Sequence, residues 1–310
     1  LKIVFLDRKS IGENLDLSGF ETLGEILNYD FTIAENVAER VKDADVIVLN
    51  KTPINAATLG KPKNLKLVCV TATGTNNLDK EYLQQQQIAW KNVAGYSTQS
   101  VTQHTFALLF YLLEQLPYYD HYVKSGQYME DKLFTHFAKG FHELSGMTWG
   151  IIGLGAIGRN VAKVAQAFGC QVIYYSTSGQ HHDSTYREVD YQTLLSESDI
   201  ISIHAPLNEQ TQGLLDYQAM VLMKPSAILI NVGRGAIIVE KDLKRALDEG
   251  QIKAAGIDVL EEEPMNLDNC LIDIQDSSKL IITPHIAWAS KEARQRLMDI
   301  ILEQIQEFFV

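Results

Sequence analysis

The sequence predicts an α/β protein built from two doubly wound parallel-sheet domains. Three observations carry this prediction: short unbroken apolar runs, segments of helical spacing between them, and a length of 310 residues. Single hydrophobic cores stop growing beyond roughly 250–300 residues, so about two domains are expected. Apolar runs without polar alternation suit strands covered on both faces, as in parallel sheets. Parallel neighbours need crossover connections, and the intervening helical segments provide them.

Along the chain, the runs 3–6, 46–49 and 67–70 are the first strands, with a helical segment at 35–42 preceding the second. The turn-rich Gly95-Tyr96-Ser97-Thr98 closes this unit. A connecting helix is expected from about Ser100, with Val101, Thr105, Leu108, Leu109 and Leu112 at helical spacing, ending at Pro117. The aromatic tract 118–141 follows. It fits a subunit interface or packing within one chain about equally well. A second alternating series then carries strand-like runs at 148–152, 171–175, 200–204, 227–232, 255–259 and 280–283, separated by helical segments. The last helix, 291–309, can return to the first domain. The expected division is therefore residues 1–99 plus 287–310 for a discontinuous first domain and 100–286 for the second.

A formal charge of −12 argues against a nucleic-acid partner, which requires a basic surface. The longest apolar stretches are too short to span a bilayer, and no secretory signal is expected. Cys69, Cys170 and Cys270 are widely spaced in apolar contexts, with neither a metal spacing nor a disulfide pattern. No metal is expected, and the thiols suit a reducing cytoplasm.

The sharpest motif is Gly153-Leu154-Gly155-Ala156-Ile157-Gly158, placed after an apolar strand and opening a helix. The first glycine allows the tight turn, the second lets backbone approach a pyrophosphate, and the third lets helix and strand pack closely. The helix N-terminus adds free N–H groups and a positive dipole end. A dinucleotide site is expected here. An acid for the adenosine ribose should stand about twenty residues on, at the end of the next strand. Ser176 and Thr177 occupy that place instead, Asp183 lies farther along, and only His181 and His182 stand nearby as basic candidates. NAD and NADP both remain open on these residues.

Downstream, polar residues fall at the ends of three apolar strands, where ligands bind in open α/β sheets. Arg234, in Asn231-Val232-Gly233-Arg234-Gly235, carries a planar fork matched to a carboxylate. Glu263 precedes Pro264. His285, in Thr283-Pro284-His285-Ile286-Ala287-Trp288, can exchange a proton near neutral pH, and a carboxylate partner would fix its tautomer. His104, inside the connecting helix, reads as structural.

These motifs resemble the D-isomer-specific 2-hydroxyacid dehydrogenases over essentially the whole chain, with bacterial glycerate dehydrogenases, also called hydroxypyruvate reductases, nearest in pattern. The resemblance implies a flavodoxin-like substrate domain, a Rossmann dinucleotide-binding domain, and reduction of a small 2-keto acid to the D-2-hydroxy acid with NAD or NADP. It implies that Arg234 binds the substrate carboxylate, that Glu263 pairs with His285, and that His285 is the acid/base. It also assigns Asp258 to the nicotinamide carboxamide and places Gly153, Gly155, Ala156, Ile157, Gly158, Ser176, Thr177, His204, Pro206 and Val232 around the cofactor. Thr73 and Gly74, in a Thr/Gly/Asn loop after the 67–70 strand, would offer their amides to the substrate carboxylate. Asn50 and Lys51 are further candidates beside that loop, and Tyr96 and Trp288 are candidates for shaping the substrate pocket. Glu261 and Glu262 read as solvated. A homodimer is expected. The runner-up readings are a cofactor-sensing corepressor of the same fold and a dehydrogenase for bulkier branched 2-keto acids.

Overall fold

The computed structural model describes residues 1–180 and 182–309, and its strands form two all-parallel sheets. The chain divides into two units. One comprises residues 1–97 together with the segment from Trp288 onward, and the other spans residues 98–287.

In the first unit, β1 (Lys2–Phe5), β2 (Glu25–Asn28), β3 (Val46–Leu49), β4 (Leu67–Val70) and β5 (Ala89–Asn92) lie in the order β2-β1-β3-β4-β5. That order is flavodoxin-like. Alternation along β1 divides its side chains between two cores. Ile3 and Phe5 face one layer, and Val4 and Leu6 face the other. The C-terminal helix Lys291–Phe309 closes the first layer with Ala293, Leu297, Met298, Ile301 and Ile305, all fully buried. The spacing of those five residues is that of one helical face, which is why the segment folds as an amphipathic helix here.

In the second unit, β6 (Thr148–Ile152), β7 (Gln171–Tyr175), β8 (Arg187–Glu188), β9 (Ile200–Ile203), β10 (Ile228–Asn231), β11 (Ala254–Ile257) and β12 (Leu280–Ile282) order as β12-β11-β10-β9-β6-β7-β8. The strand order reverses between β6 and β9, which makes a switch point beside the glycine turn that follows β6. The connecting helix runs Thr98–Leu113 and lies over β10 and β11. Gly256 permits its close approach, because a Cβ there would sit 3.1 Å from the Leu108 Cβ.

The connecting helix does not run on to Pro117. It ends at Leu113, Gln115 adopts a left-handed backbone (φ 53°), and a new helix, Leu116–Lys124, begins with Pro117 in its first turn. Proline is tolerated there because a first-turn N–H has no helical partner to lose. Beyond this helix an arm leaves Met129, Leu133, Phe134, Phe137 and Phe141 exposed. Part of the aromatic tract packs on itself. His136 stacks on Tyr122 at 3.8 Å between ring centroids and lies 2.7 Å from the Tyr118 hydroxyl. Among the described residues, no helix is long and apolar enough to cross a membrane.

Candidate active site

The glycine turn takes the geometry that its three glycines allow. Gly153 has φ +90°, and a Cβ there would lie 2.8 Å from Ala205 backbone atoms. At Gly158 a Cβ would meet the Gly153 carbonyl oxygen at 2.4 Å. Gly155 differs: its missing Cβ faces open space, with nothing within 4 Å. It is also the N-cap of the helix Ala156–Ala167, and no side chain caps that end. Packing therefore requires Gly153 and Gly158, while Gly155 leaves room over uncapped N–H donors. Such a cradle fits a pyrophosphate.

Beyond β7, Ser176 and Thr177 are half-buried, and the Gly179 N–H donates to the Ser176 carbonyl. No arginine belongs to this turn, but one reaches the segment beyond it. Arg159, in the first turn of the helix Ala156–Ala167, forms an ion pair with Asp183. His182 lies 2.6 Å from Glu188, and His181 is outside the described residues. On the other side of the switch point, the His204 Nε2 is 2.9 Å from the Ser202 hydroxyl, which also accepts from Trp149 Nε1. His204 Nδ1 is sealed from solvent without a hydrogen-bond partner among the described residues. Burial pushes this imidazole down to about 3, so it is neutral. Pro206 holds the next turn by accepting the Thr211 hydroxyl at its carbonyl, and Val232 is buried at the end of β10.

Arg234 stands on a turn that Asn231 builds. The buried Asn231 side chain accepts from the Gly233 N–H at 3.0 Å and donates to the Arg234 carbonyl at 2.9 Å. One guanidinium nitrogen donates to the Gly233 carbonyl at 2.8 Å. The fork has five donors, so others are left for an anion. Gly235 presses this turn against the following segment, since a Cβ there would lie 1.9 Å from the Leu260 carbonyl carbon. From the same side Glu240, largely buried, accepts the Glu261 N–H and the Asn269 amide. Glu261 and Glu262 themselves point to the exposed surface.

Glu263 and His285 meet across this framework. His285 Nδ1 lies 2.7 Å from one Glu263 oxygen, and the other accepts from the Leu260 N–H at 3.1 Å. A carboxylate only accepts, so the Nδ1 proton belongs to the histidine and Nε2 is the ring nitrogen left for proton exchange. Each side chain is 29% exposed. His285 has a left-handed backbone (φ 54°), held by its N–H bonding to the Asp258 and Thr283 carbonyls at 2.8 and 3.0 Å. The Asp258 carboxylate, 1% exposed, accepts from the Thr283 hydroxyl and from the Ile286 and Ala287 N–H groups. It is thus occupied in shaping the loop that carries His285.

In the first unit, a buried Asp7 carboxylate accepts from the Asn50, Lys51 and Thr52 N–H groups and the Thr52 hydroxyl. Asn77 bridges to the Asn50 and Thr52 carbonyls. The Thr73 hydroxyl donates to Val93, and the Asn92 amide donates to the Thr73 carbonyl at 2.6 Å. Among the described residues, neither the Thr73 nor the Gly74 N–H finds an acceptor. Tyr96 is buried in the core of this unit, edge-on to Trp288 at 6.2 Å between ring centroids.

Sequence reasoning missed Asn231, Glu240, Asp7 and the reach of Arg159. Asn231 had a local signal, since an Asn two residues before a glycine favours a side-chain turn. The other three act over long sequence separations.

A doubly wound sheet with an open glycine cradle at its switch point defines, as a class, a dinucleotide-binding protein. The chain belongs to the D-isomer-specific 2-hydroxyacid dehydrogenase family. Residues 106–287 match the family model described as "D-isomer specific 2-hydroxyacid dehydrogenase, NAD binding domain". The chain is 38% identical to a glycerate dehydrogenase of Methylorubrum extorquens, covering 99% of this chain and 96% of the relative. Its identity to a hydroxypyruvate reductase of Blautia hydrogenotrophica is also 38%, covering 99% and 97%. Among solved structures, an acyclic imino acid reductase in complex with NADPH and D-Arg superposes with a TM-score of 0.87 at 30% identity, covering 100% of this chain and 97% of that one. A D-lactate dehydrogenase of Aquifex aeolicus complexed with NAD and lactic acid gives 0.85 at 25% identity, covering 99% and 95%. The protein is an oxidoreductase of 2-hydroxy acids that uses a nicotinamide dinucleotide.

Proposed function

We propose that this enzyme reduces a small 2-keto acid of the hydroxypyruvate or glyoxylate type to the D-2-hydroxy acid, with His285 as proton donor. The observation that carries the reading is the 2.7 Å Glu263–His285 pair, which leaves His285 Nε2 free to face a reacting oxygen. The names of the relatives at 38% identity support the substrate class.

In this reading Gly155, Ala156, Ile157 and Gly158 hold the pyrophosphate at the helix N-terminus, with Gly153 shaping the turn. Ser176 and Thr177 meet the adenosine ribose, and His204, Pro206 and Val232 line the cofactor site. Asp258 would meet the carboxamide, as the resemblance implies. When bound there, the dinucleotide would supply the hydride for C2. Arg234 grips the substrate carboxylate and draws electron density from the carbonyl. In the first unit, the Thr73 and Gly74 amides are candidate donors to a carboxylate, because aligned backbone N–H groups neutralise an anion without a mobile side chain. His285 Nε2 gives its proton to the carbonyl oxygen, and Glu263 stabilises the charged imidazole that precedes the transfer. In oxidation the same nitrogen takes the proton back.

Ser176 removes the carboxylate that would repel a 2′-phosphate, and we propose that both NADH and NADPH are accepted. We also propose a cytoplasmic homodimer; the exposed apolar side chains of the 129–141 arm support the dimer, which analytical ultracentrifugation reads. The deciding experiment is a panel of hydroxypyruvate, glyoxylate, pyruvate and 2-ketoisocaproate with each cofactor, monitored by loss of reduced cofactor, with chiral analysis of product. Fast turnover of the two small polar acids to D products is expected. Turnover of 2-ketoisocaproate alone would overturn the substrate class, and an L product would overturn the stereochemistry.

A further inference from the structure

His104 lies outside the proton-transfer pair, yet the packing of its helix delivers it to the back of that site. His104 and Leu108 are four residues apart on one face of the helix Thr98–Leu113, about 6 Å along its axis. Gly256 and Asp258 are two residues apart on one face of β11 and its extension, about 6.6 Å along the strand. The two repeats match. With Leu108 seated on Gly256, His104 falls beside Asp258, its Nε2 3.5 Å from the carboxylate. The neighbouring strand adds the third member. Gly256 pairs with Ile281, so Thr283 comes level with Asp258.

Proton counting fixes the direction of the bonds. The single Thr283 hydroxyl proton goes to the Asp258 carboxylate at 2.6 Å. His104 Nε2 lies 3.0 Å from that same hydroxyl oxygen, so it must be the donor and carry a proton. The chain of donation runs His104 to Thr283 to Asp258. Asp258 in turn receives the Ile286 and Ala287 N–H groups, and its carbonyl receives that of His285. Residue 285 is not glycine and sits at φ 54°, a strained conformation that persists only where surrounding bonds over-determine it. His104 anchors the buried end of that set.

We propose that His104 is a positioning residue for the reaction, acting through Thr283 and Asp258 to hold the His285 loop in the strained geometry that aims His285. It does not touch the reacting atoms. The proposal rests on the reading of His285 as the acid/base.

The test is a double-mutant cycle of His104→Leu and Thr283→Val, with His104→Gln as the conservative variant whose amide can donate from nearly the same place. His104→Leu should lower kcat by about five- to tenfold, the scale of one lost hydrogen bond expressed in the barrier, with the KM for reduced cofactor unchanged. His104→Gln should recover most of that loss, and the double variant should be no slower than the slower single one. Effects that multiply, equal losses in the Leu and Gln variants, or a fall in melting temperature without a fall in kcat would each overturn it. If the wild-type protein reduces no 2-keto acid, the catalytic reading fails and the clamp is read from 15N-histidine spectra. Resonances of His285 that move in His104→Leu but not in His104→Gln support it, and resonances unmoved in both overturn it.

Discussion

Replacing Gly235 by Ala probes how the spacing of the active-site groups is set. A Cβ at this position would lie 1.9 Å from the Leu260 carbonyl carbon, 2.0 Å from its oxygen and 2.4 Å from the Glu261 nitrogen. All three are backbone atoms, so no rotamer change relieves the overlap. Ordinary contact begins near 3.4 Å. The Arg234 turn and the 260–261 segment must therefore part by about 1.5 Å, the difference between 3.4 and 1.9, as in other overpacked sites. That movement separates Arg234 from the Glu263–His285 pair, and a misplacement of about 1 Å costs on the order of a hundredfold in rate. Overpacking should lower stability by only about 1–3 kcal/mol, because the contact is confined to two loops. Steady-state kinetics with hydroxypyruvate, fluorescence titration of reduced cofactor and urea unfolding read the three quantities. We expect kcat/KM to fall about a hundredfold while cofactor affinity stays near wild type, since the glycine turn follows a different strand. A folded variant with near wild-type kcat/KM would refute the reasoning.

Three further outcomes follow from the site. Gly155→Ala places a methyl group in open space at an ordinary φ of −77°, so unfolding free energy should hardly change while reduced-cofactor affinity drops about tenfold or more, measured by titration. Ser176→Asp restores the ribose acid and should move the NADH over NADPH preference by at least about tenfold, read as the ratio of kcat/KM values. His204 titrates near 3 in the fold against 6.5 when exposed, so the unfolded chain binds the extra proton between those values and stability falls as pH drops below about 6.5. Urea midpoints at pH 7.5 and pH 5.5 should show a smaller acid loss in His204→Phe than in wild type.

What the sequence made legible follows burial. The central strands β1, β3, β4, β6, β9, β10 and β11 are predominantly apolar and largely buried, and each is recognisable without a structure. The strands that reasoning missed are edges or nearly so. β2 is Glu-Ile-Leu-Asn with exposed ends, β5 carries Lys91 and Asn92, and β8 is an exposed Arg-Glu pair. Edge strands face water on one side and need no apolar run. The connecting helix was visible by its period, but its end was misplaced because Pro117 opens a helix there and does not close one.

In the site, the glycine turn was legible because its geometry is local: three glycines, a strand before and a helix after. Arg234, Glu263 and His285 drew attention as polar residues at strand ends, and the resemblance suggested their roles. The supports were hidden because they are tertiary. His104 and Thr283 are 179 residues apart, Asp258 and Ala287 are 29 apart, and Arg159 reaches a loop on another strand. No spacing rule connects such pairs. They follow from which helix lies on which strand, which here depends on one missing methyl group at Gly256.

The central claim is that His285, fixed by Glu263, delivers the proton at C2. Single-turnover hydride transfer at saturating reduced cofactor and hydroxypyruvate, in wild type and His285→Asn, tests it most directly when cofactor affinity is measured on the same preparations. The account predicts a fall in the transfer rate of about 10²–10⁴-fold with cofactor affinity unchanged. An unchanged rate in His285→Asn would contradict it.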